Sequence, residues 1–543
     1  MNRKIKAVIT FLFCTLCLSA QETTMYRLIL TDKGNSPYSI DRPGEFLSQK
    51  SIDRRTKQGF PVNETDLPID SAYFEALIEA GASIQTHSKW VNTVVVKISD
   101  DEVLENISQL SFIDSLYKVW TGSLPEPTSV KNKEEQTSTV SFDLRTDNYG
   151  EGITQISLHN GYLLHELGYT GENIAIAVLD GGFKNANNID YFDQSKILGV
   201  KNFTHESGSP LEGNTDHGTR VLSCMLANKQ GHLIGTAPHA NYYLFKTEVN
   251  NEEFPIEEDY WVAALEYADS IGVDIVSTSL GYSTFDDASM NHDQSQLDGA
   301  TVPASKAASM AASKGMLLVN SAGNEGNKNW KKIMFPSDAK DILTVGSIMS
   351  DSIRSSFSSI GNTSDGRIKP DIMAMGTAAT IVTSEGTIAK SNGTSFSCPI
   401  MSGLVACLWQ ALPELNSLEL IDLIRKSADR YQDPDNQYGY GIPDVLKAYN
   451  SETSELLILS PDDTSTYLRV DTSKNHIYIN KTELDCLQIR LSLFAMNGLK
   501  VFEDHNPPEQ IDISHLKDGT YIAYLLCGEE KYIQKFIVHH SSF

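Results

Sequence analysis

A chain of 543 residues with 44 basic and 70 acidic side chains carries a formal charge of −26, which argues against phosphate-backbone binding and so against nucleic-acid partners. The length leaves room for several domains. Of the seven cysteines, the five beyond the first twenty residues (Cys224, Cys398, Cys407, Cys486 and Cys527) form an odd set that cannot pair completely within the chain.

Arg3, Lys4 and Lys6 precede the apolar run from Ala7 to Leu18, and Leu18-Ser19-Ala20 supplies the small residues of a cleavage site. Residues 1–20 therefore read as a signal peptide cut after Ala20. The run is too short to anchor the chain across a bilayer, and neither Cys14 nor Cys17 follows a small residue as a lipoprotein site would require. No other segment approaches spanning length.

Residues 22–124 read as a compact α+β unit. Tyr26 to Leu30 and Asn92 to Ile98 are strand-like, while Ser71 to Ala80 and Asp100 to Leu110 have helical apolar spacing. A Pro-, Ser-, Thr- and charge-rich linker over 125–147 follows, and a proteolytic cut is expected there.

Residues 148–453 form the middle of the chain and carry apolar runs of strand length together with helical segments. Ile174 to Leu179 is an unbroken apolar run ending in Asp180-Gly181-Gly182, as a central parallel strand delivering a carboxylate at its carboxyl end would be. Asp216-His217-Gly218-Thr219-Arg220-Val221 opens a helix with Val221, Leu222 and Met225 inward. Ile275 to Gly281 and Gly315 to Gly326 are further strands, the second ending in Ala322-Gly323-Asn324. The acidic stretch from Tyr282 to Pro303 reads as a solvated loop beside the cleft. Asn392-Gly393-Thr394-Ser395-Phe396-Ser397-Cys398-Pro399 opens a helix of small residues, with Pro399 placed in its first turn. Cys224 and Cys398 read as small core residues on buried helices.

The tail, 454–543, shifts to short alternating strands. Leu487 to Phe494, Leu499 to Phe502 after an Asn497-Gly498 turn, Tyr521 to Leu526, and Tyr532 to Val538 imply a β-sandwich, across which Cys486 and Cys527 could pair.

A serine hydroxyl is a poor nucleophile at neutral pH; it needs an imidazole to take its proton, and the imidazole needs a carboxylate to hold its tautomer. Asp180, His217 and Ser395 supply these groups in that chain order. Each motif alone is commonplace, but all three in this order and at domain-scale spacing are not.

Those three motifs resemble the signatures of the subtilisin-like serine proteases, over about Asn148 to Tyr449. The resemblance implies an α/β catalytic domain with a doubly wound parallel sheet over 148–453, and a secreted serine endopeptidase in which Ser395 attacks, His217 moves the proton, Asp180 orients the imidazole, and Asn324 with the Ser395 backbone N–H stabilises the oxyanion. It also implies that Ser279, Leu280 and Gly281 pair with an extended substrate and, with Ala322 and Gly323, wall the pocket for the side chain before the scissile bond. Met334 falls near that pocket's floor, so an apolar or medium-sized preference is expected.

No cofactor is implied; calcium is frequent in the family, but its sites are not readable here. Phe46-Leu47-Ser48, Arg54-Arg55 and Ser88-Lys89-Trp90-Val91-Asn92 resemble the leader domain of secreted subtilases, which acts as chaperone and inhibitor, so the chain's own prodomain is an expected partner. The alternative is an accessory binding domain. The tail's Asn-Gly hairpin and its terminal Lys535-Phe536-Ile537-Val538 resemble the C-terminal sorting domains of type IX secretion substrates. The partners implied are then the type IX machinery and protein or peptide substrates, and the destination is the cell surface or medium via the periplasm. An Ig-like binding appendage would show similar strands. The rival reading of the whole is a catalytically inactive binding or adhesion protein on the same fold, against which the intact triad residues speak.

Overall fold

The structure, a computed structural model, describes residues 23–122, 148–452 and, with short interruptions, 467–538. The expected signal peptide, the linker cut and the Asn497-Gly498 turn lie outside the described residues. Alternation in the N-terminal region builds a four-stranded antiparallel sheet from β1 (Thr23–Leu30), β2 (Ser83–Ser88), β3 (Thr93–Ile98) and β4 (Ile113–Gly122), in the order β2-β3-β1-β4. Around it run α1 (Gln49–Gln58), α2 (Ser71–Glu79) and α3 (Asp101–Ser108).

Side chains alternate across a strand, so Leu28, Leu30, Val94 and Val96 turn towards Leu77 and Ile107 of α2 and α3. Met25, Val95, Val119 and Trp120 turn the other way and pack on Val249, Phe254, Ile256 and Tyr260 of the following domain. Helix α1 escaped the sequence reading because its only aliphatic residue is Ile52. Its place is secured by charge instead.

The large domain is organised on seven parallel strands: β5 (Ala175–Asp180), β6 (Ile197–Asn202), β7 (Asn241–Lys246), β8 (Ile275–Thr278), β9 (Leu317–Ser321), β10 (Leu343–Ile348) and β11 (Ile372–Met375). Their order is β11-β10-β9-β8-β5-β7-β6. β5 is buried along its whole length because both faces are covered. Ile176 and Val178 join the core formed with α4 (His217–Leu226) and α7 (Thr394–Ala411), while Ala177 and Leu179 join that of α5 (Ile256–Ile271) and α6 (Pro303–Ala312). The sheet order reverses at β5, so the crevice at the carboxyl ends of β5 and β8 is where such a sheet binds ligands.

Two findings revise the sequence reading. Pro399 lies inside α7, not in its first turn. The Tyr282–Pro303 segment is not simply a solvated loop, because Tyr282, Phe285, Leu297 and Val302 are buried in the core.

The tail forms a three-stranded sheet, from β12 (Leu468–Asp471), β13 (His476–Ile479) and β16 (Gln510–Asp512), and a four-stranded one, from β14 (Ile489–Ala495), β15 (Lys500–Asp504), β17 (Gly519–Cys527) and β18 (Glu530–Val538). Leu468, Ile477, Leu491, Ala523 and Phe536 fill the space between them. Cys527 is disulfide-bonded, while Cys224, Cys398 and Cys407 are free and buried. No helix among the described residues is long and apolar enough to cross a membrane.

The N-terminal domain is joined to the large one by buried ions. Arg27 grips Asp259 with two bonds of 2.7 and 2.8 Å and reaches Glu258 at 3.3 Å. Arg54 and Arg55 both bond Asp269 of α5. Arg55 also holds Asp66 at 2.9 and 3.0 Å, and Lys314 of the large domain crosses back to Asp66 at 2.7 Å. Burial alone would raise the Asp66 carboxyl, but Arg55 and Lys314 overcome it and hold it at about 2.

Removing one member of such a network leaves a buried charge short of its partner. Arg55→Met in an uncleaved chain should therefore cost about 3 kcal/mol, read as a fall in the denaturant midpoint for release of the N-terminal domain. A change within about 0.5 kcal/mol, the range of ordinary surface substitutions, would show that the network does not hold the domains together.

Candidate active site

β5 ends in Asp180, whose side chain is fully buried at the sheet's switch point. A carboxylate there needs donors, and it finds them in the Gly181 backbone N–H at 2.8 Å and His217 Nδ1, 2.9 Å from one oxygen and 3.0 Å from the other. His217 is the first residue of α4. A carboxylate can only accept, so Nδ1 carries the proton and Nε2 is left with its lone pair. The imidazole is 39% exposed, open to the cleft. Burial works against its charged form, but the charge and hydrogen bond of Asp180 outweigh burial and raise it above its ordinary 6.5.

Ser395 sits in the first turn of α7, behind Gly393. Pro399 has no N–H to donate to the carbonyl four residues earlier, which is that of Ser395. The Ser279 hydroxyl supplies the missing donor at 2.8 Å, tying the end of β8 to the helix turn that carries the serine. The Ser395 hydroxyl itself is turned to the Ser279 carbonyl at 3.5 Å. The structure thus joins Asp180 to His217 directly, and among the described hydrogen bonds it does not join His217 to Ser395.

Asn324 follows β9, and its Oδ1 accepts from the Thr394 N–H at 2.9 Å and the Thr394 hydroxyl at 3.0 Å. Those bonds identify the carbonyl end of the side chain and turn Nδ2 the other way. A Cβ placed on Gly393 would lie 3.6 Å from Asn324 Nδ2, 3.6 Å from the Ser395 backbone nitrogen and 3.7 Å from Ser395 Oγ. Gly393, at φ +149°, thus borders a small open volume on which two N–H donors and a hydroxyl converge. The N–H groups of a helix's first turn lack intrahelical partners and favour negative charge.

Of the residues expected to wall the substrate pocket, Gly281 and Gly323 both abut Met334, whose backbone N–H donates to the Ala322 carbonyl at 3.2 Å. A Cβ on Gly281 would come within 2.9 Å of Met334 Cβ, and one on Gly323 within 2.8 Å of Met334 Cγ. Met334 therefore fills the space between the two glycines. Cys398 is no second nucleophile: its thiol donates to the Val319 carbonyl at 3.3 Å, and burial pushes it up to about 11. Among the described residues no three His, Cys, Asp or Glu side chains are grouped to hold a metal ion.

Sequence reasoning missed three contributors. Thr394, inside the Gly-Thr-Ser triplet, orients Asn324. The Ser279 side chain, read only as part of a substrate-pairing strand, satisfies the Ser395 carbonyl; a proline four residues after the serine was the available signal. Glu248, near enough to feel the charge of Asp180, lines with Glu252 and Glu253 a cavity bounded by Gly181, an arrangement of tertiary packing that left no readable signature.

Residues 171–441 match the Subtilase family. Residues 25–138 match the Peptidase S8 propeptide domain of Bacteroidota, and 473–539 a secretion system C-terminal sorting domain. The chain is 25% identical to subtilisin NAT of Bacillus subtilis subsp. natto over 376 residues, 69% of this chain and 85% of that one. It is 29% identical to serine protease AprX of Bacillus subtilis (strain 168) over 319 residues, 52% of this chain and 66% of that one. Similarity to the solved structure of MycP1 from Mycobacterium smegmatis is looser, with a TM-score of 0.45 at 20% identity over 60% of this chain and 92% of that one. A parallel sheet carrying the Asp, His and Ser motifs in order, inside a matched domain flanked by a matched propeptide and sorting tail, places the chain in the subtilase family of serine proteases, with a Bacteroidota-type propeptide domain before the protease domain and a type IX sorting domain after it.

Proposed function

We propose that the chain is the precursor of a secreted endopeptidase that uses Ser395 as nucleophile, His217 as base and then acid, Asp180 as the group that orients and stabilises the imidazolium, and Asn324 Nδ2 with the Ser395 N–H as oxyanion donors. The observation that carries the reading is the convergence beside Gly393 of those two donors and the serine hydroxyl, with a carboxylate-bound imidazole opening the neighbouring helix. In the reaction Ser395 Oγ leaves the Ser279 carbonyl, gives its proton to His217 Nε2 and bonds the peptide carbonyl carbon. The oxyanion forms in the volume beside Gly393, and the proton passes to the departing amine. Water then repeats the sequence on the acyl-enzyme. Every step uses side chains of this chain, and none calls on a cofactor.

The docked N-terminal domain acts as the enzyme's own inhibitor until it is cut away. The tail carries the protein through the periplasm to the surface or medium, with the protein stranded in the periplasm after deletion of 454–543 as the readout of that route. Ser279, Leu280 and Gly281 line the extended substrate, and a slot between that segment and Ala322-Gly323, narrowed by Met334, takes a small apolar side chain.

The direct test is covalent labelling. A fluorophosphonate probe should label the matured enzyme, and Ser395→Ala should lose both the label and nearly all peptide hydrolysis while keeping its fold. An unlabelled but folded wild-type enzyme would leave the inactive-scaffold reading standing.

The acid limb of the pH profile follows from His217. Its raised value means the imidazolium persists to higher pH, so the base form is lost as pH falls through a midpoint above ~6.5, the value of a free imidazole. The kcat/KM for an uncharged peptide should show that midpoint, and Asp180→Asn should move it down while lowering turnover. A midpoint well below that of free imidazole would contradict the Asp180–His217 pairing in the working enzyme.

Met334→Gly should empty the slot. The ratio of kcat/KM for phenylalanine over alanine before the scissile bond should rise by about tenfold or more; an unchanged ratio would remove Met334 from the pocket.

A further inference from the structure

Strand β8 turns hydroxyls, not methyls, towards the helix that carries the nucleophile. Ile275 joins the α7 core, but the next residues of that strand face are Ser277 and, just past the strand end, Ser279. The Ser402 hydroxyl of α7 lies 2.9 Å from Ser277 Oγ, and Cys398 Sγ lies 3.4 Å from the Thr278 carbonyl. The Ser279 hydroxyl completes the series, donating to the Ser395 carbonyl at 2.8 Å. Helix positions 395, 398 and 402 are spaced three and four apart and share one face, so three consecutive strand residues meet one stripe of the helix, rung by rung. Ser277, Cys398 and Ser402 have no exposure at all.

Buried hydroxyls add little to a core, since an apolar residue would pack there without losing its water. What they fix is register. An apolar contact tolerates a small slide of the helix along the strand, whereas a rung is lost once its partners part beyond about 3.5 Å.

The rung at Ser395 has a particular cause. Inside a helix the Ser395 carbonyl would accept from the N–H of residue 399, which is proline; the ring supplies no N–H and crowds that carbonyl. Ser279 therefore stands in for a bond that the helix is denied. The turn that presents Ser395 Oγ and the Ser395 N–H is thus docked on the strand end instead of on the next turn of its own helix. Its other side is held from the end of β9, where the Thr394 hydroxyl accepts from the Gly323 N–H at 3.2 Å and donates to Asn324 Oδ1 at 3.0 Å.

We propose that Ser279 is a positioning residue for the nucleophile and that Pro399 makes it one: by freeing the Ser395 carbonyl, the proline hands the placement of the serine turn to the neighbouring strand end. The proposal rests on the endopeptidase reading above. Ser279 acts here through its side chain on Ser395, apart from the backbone by which it would line the substrate. Loss of the hydroxyl leaves a buried carbonyl without a donor and lets the turn shift. Oγ and the oxyanion N–H, whose contacts tighten only in the transition state, are then misplaced.

The test is a double-mutant cycle on the matured full-length enzyme, Ser279→Ala with and without Pro399→Ala. Active sites are counted by exhaustive fluorophosphonate labelling, so that unfolded protein drops out. Ser279→Ala alone should lower kcat about tenfold or more, the worth of one hydrogen bond, and leave KM within about twofold. The acid-limb midpoint should stay where it is, because the Asp180–His217 pair is untouched. Pro399→Ala returns an N–H to the Ser395 carbonyl, and in that background the same Ser279→Ala step should cost about twofold or less in kcat. A Ser279→Ala enzyme with wild-type kcat would overturn the proposal, as would a loss lodged in KM or a loss of equal size in both backgrounds. If the proline variant yields no folded protein, the kcat-against-KM split and the pH midpoint of Ser279→Ala alone still decide. Labelling separates the two failures: a labelled, active wild type that Ser279→Ala matches sinks the positioning role alone, and an unlabelled, inactive wild type sinks the endopeptidase reading with it.

Discussion

A negative charge buried at the end of a central strand has few ways to be satisfied. Asp180 has no exposure, and its oxygens are met by one backbone N–H and by an imidazole on the next helix. The same pair of bonds that makes the carboxylate tolerable inside the protein sets the histidine's tautomer and points its free nitrogen into the cleft. Because parallel strands end together at one edge of the sheet, β8 arrives beside β5 and brings Ser279 to the same place. Local satisfaction of one buried group thus locates the cleft.

The helix that carries Ser395 shows a second case of a deficit turned to use. Pro399 removes a helix hydrogen bond and frees the Ser395 carbonyl, and a hydroxyl on the neighbouring strand end takes it. The helix start is held to the sheet by a side chain as well as by packing. Thr394 then pins the Asn324 carbonyl, so that its amide faces the same opening as the Ser395 N–H. These are fixed dipoles, already oriented before any charge develops, which is the arrangement that costs least reorganisation.

The prodomain interface follows different physics. Only part of it is apolar; the rest is an alternation of Arg27, Arg54 and Arg55 with Glu258, Asp259 and Asp269, crossed in the opposite sense by Lys314 and Asp66. Buried pairs of this kind add modest net stability but penalise a wrong partner heavily, since any mismatch leaves a charge dry and unpaired. On the proposed release of the prodomain, the acidic members of α5 would meet water that can hydrate them, while Val249, Phe254, Ile256 and Tyr260 would lose the apolar cover of Met25, Val95, Val119 and Trp120.

The sequence by itself determined the sheet strands that are continuously apolar, the chain order of Asp180, His217 and Ser395, the Asn324 segment and the three-part organisation, because each depends on residues adjacent in the chain: a period, a capping position, a strand end. Burial on both faces shows directly as an unbroken apolar run. Helix α1 stayed hidden because its stability comes from arginines meeting carboxylates more than two hundred residues away, which no local period encodes. The partner of the Ser395 carbonyl, the placing of Met334 between Gly281 and Gly323 and the acidic cavity beside Gly181 were decided only by the tertiary structure, since each joins segments from different strand ends. Turning a side chain into or out of that crevice depends on packing across the sheet.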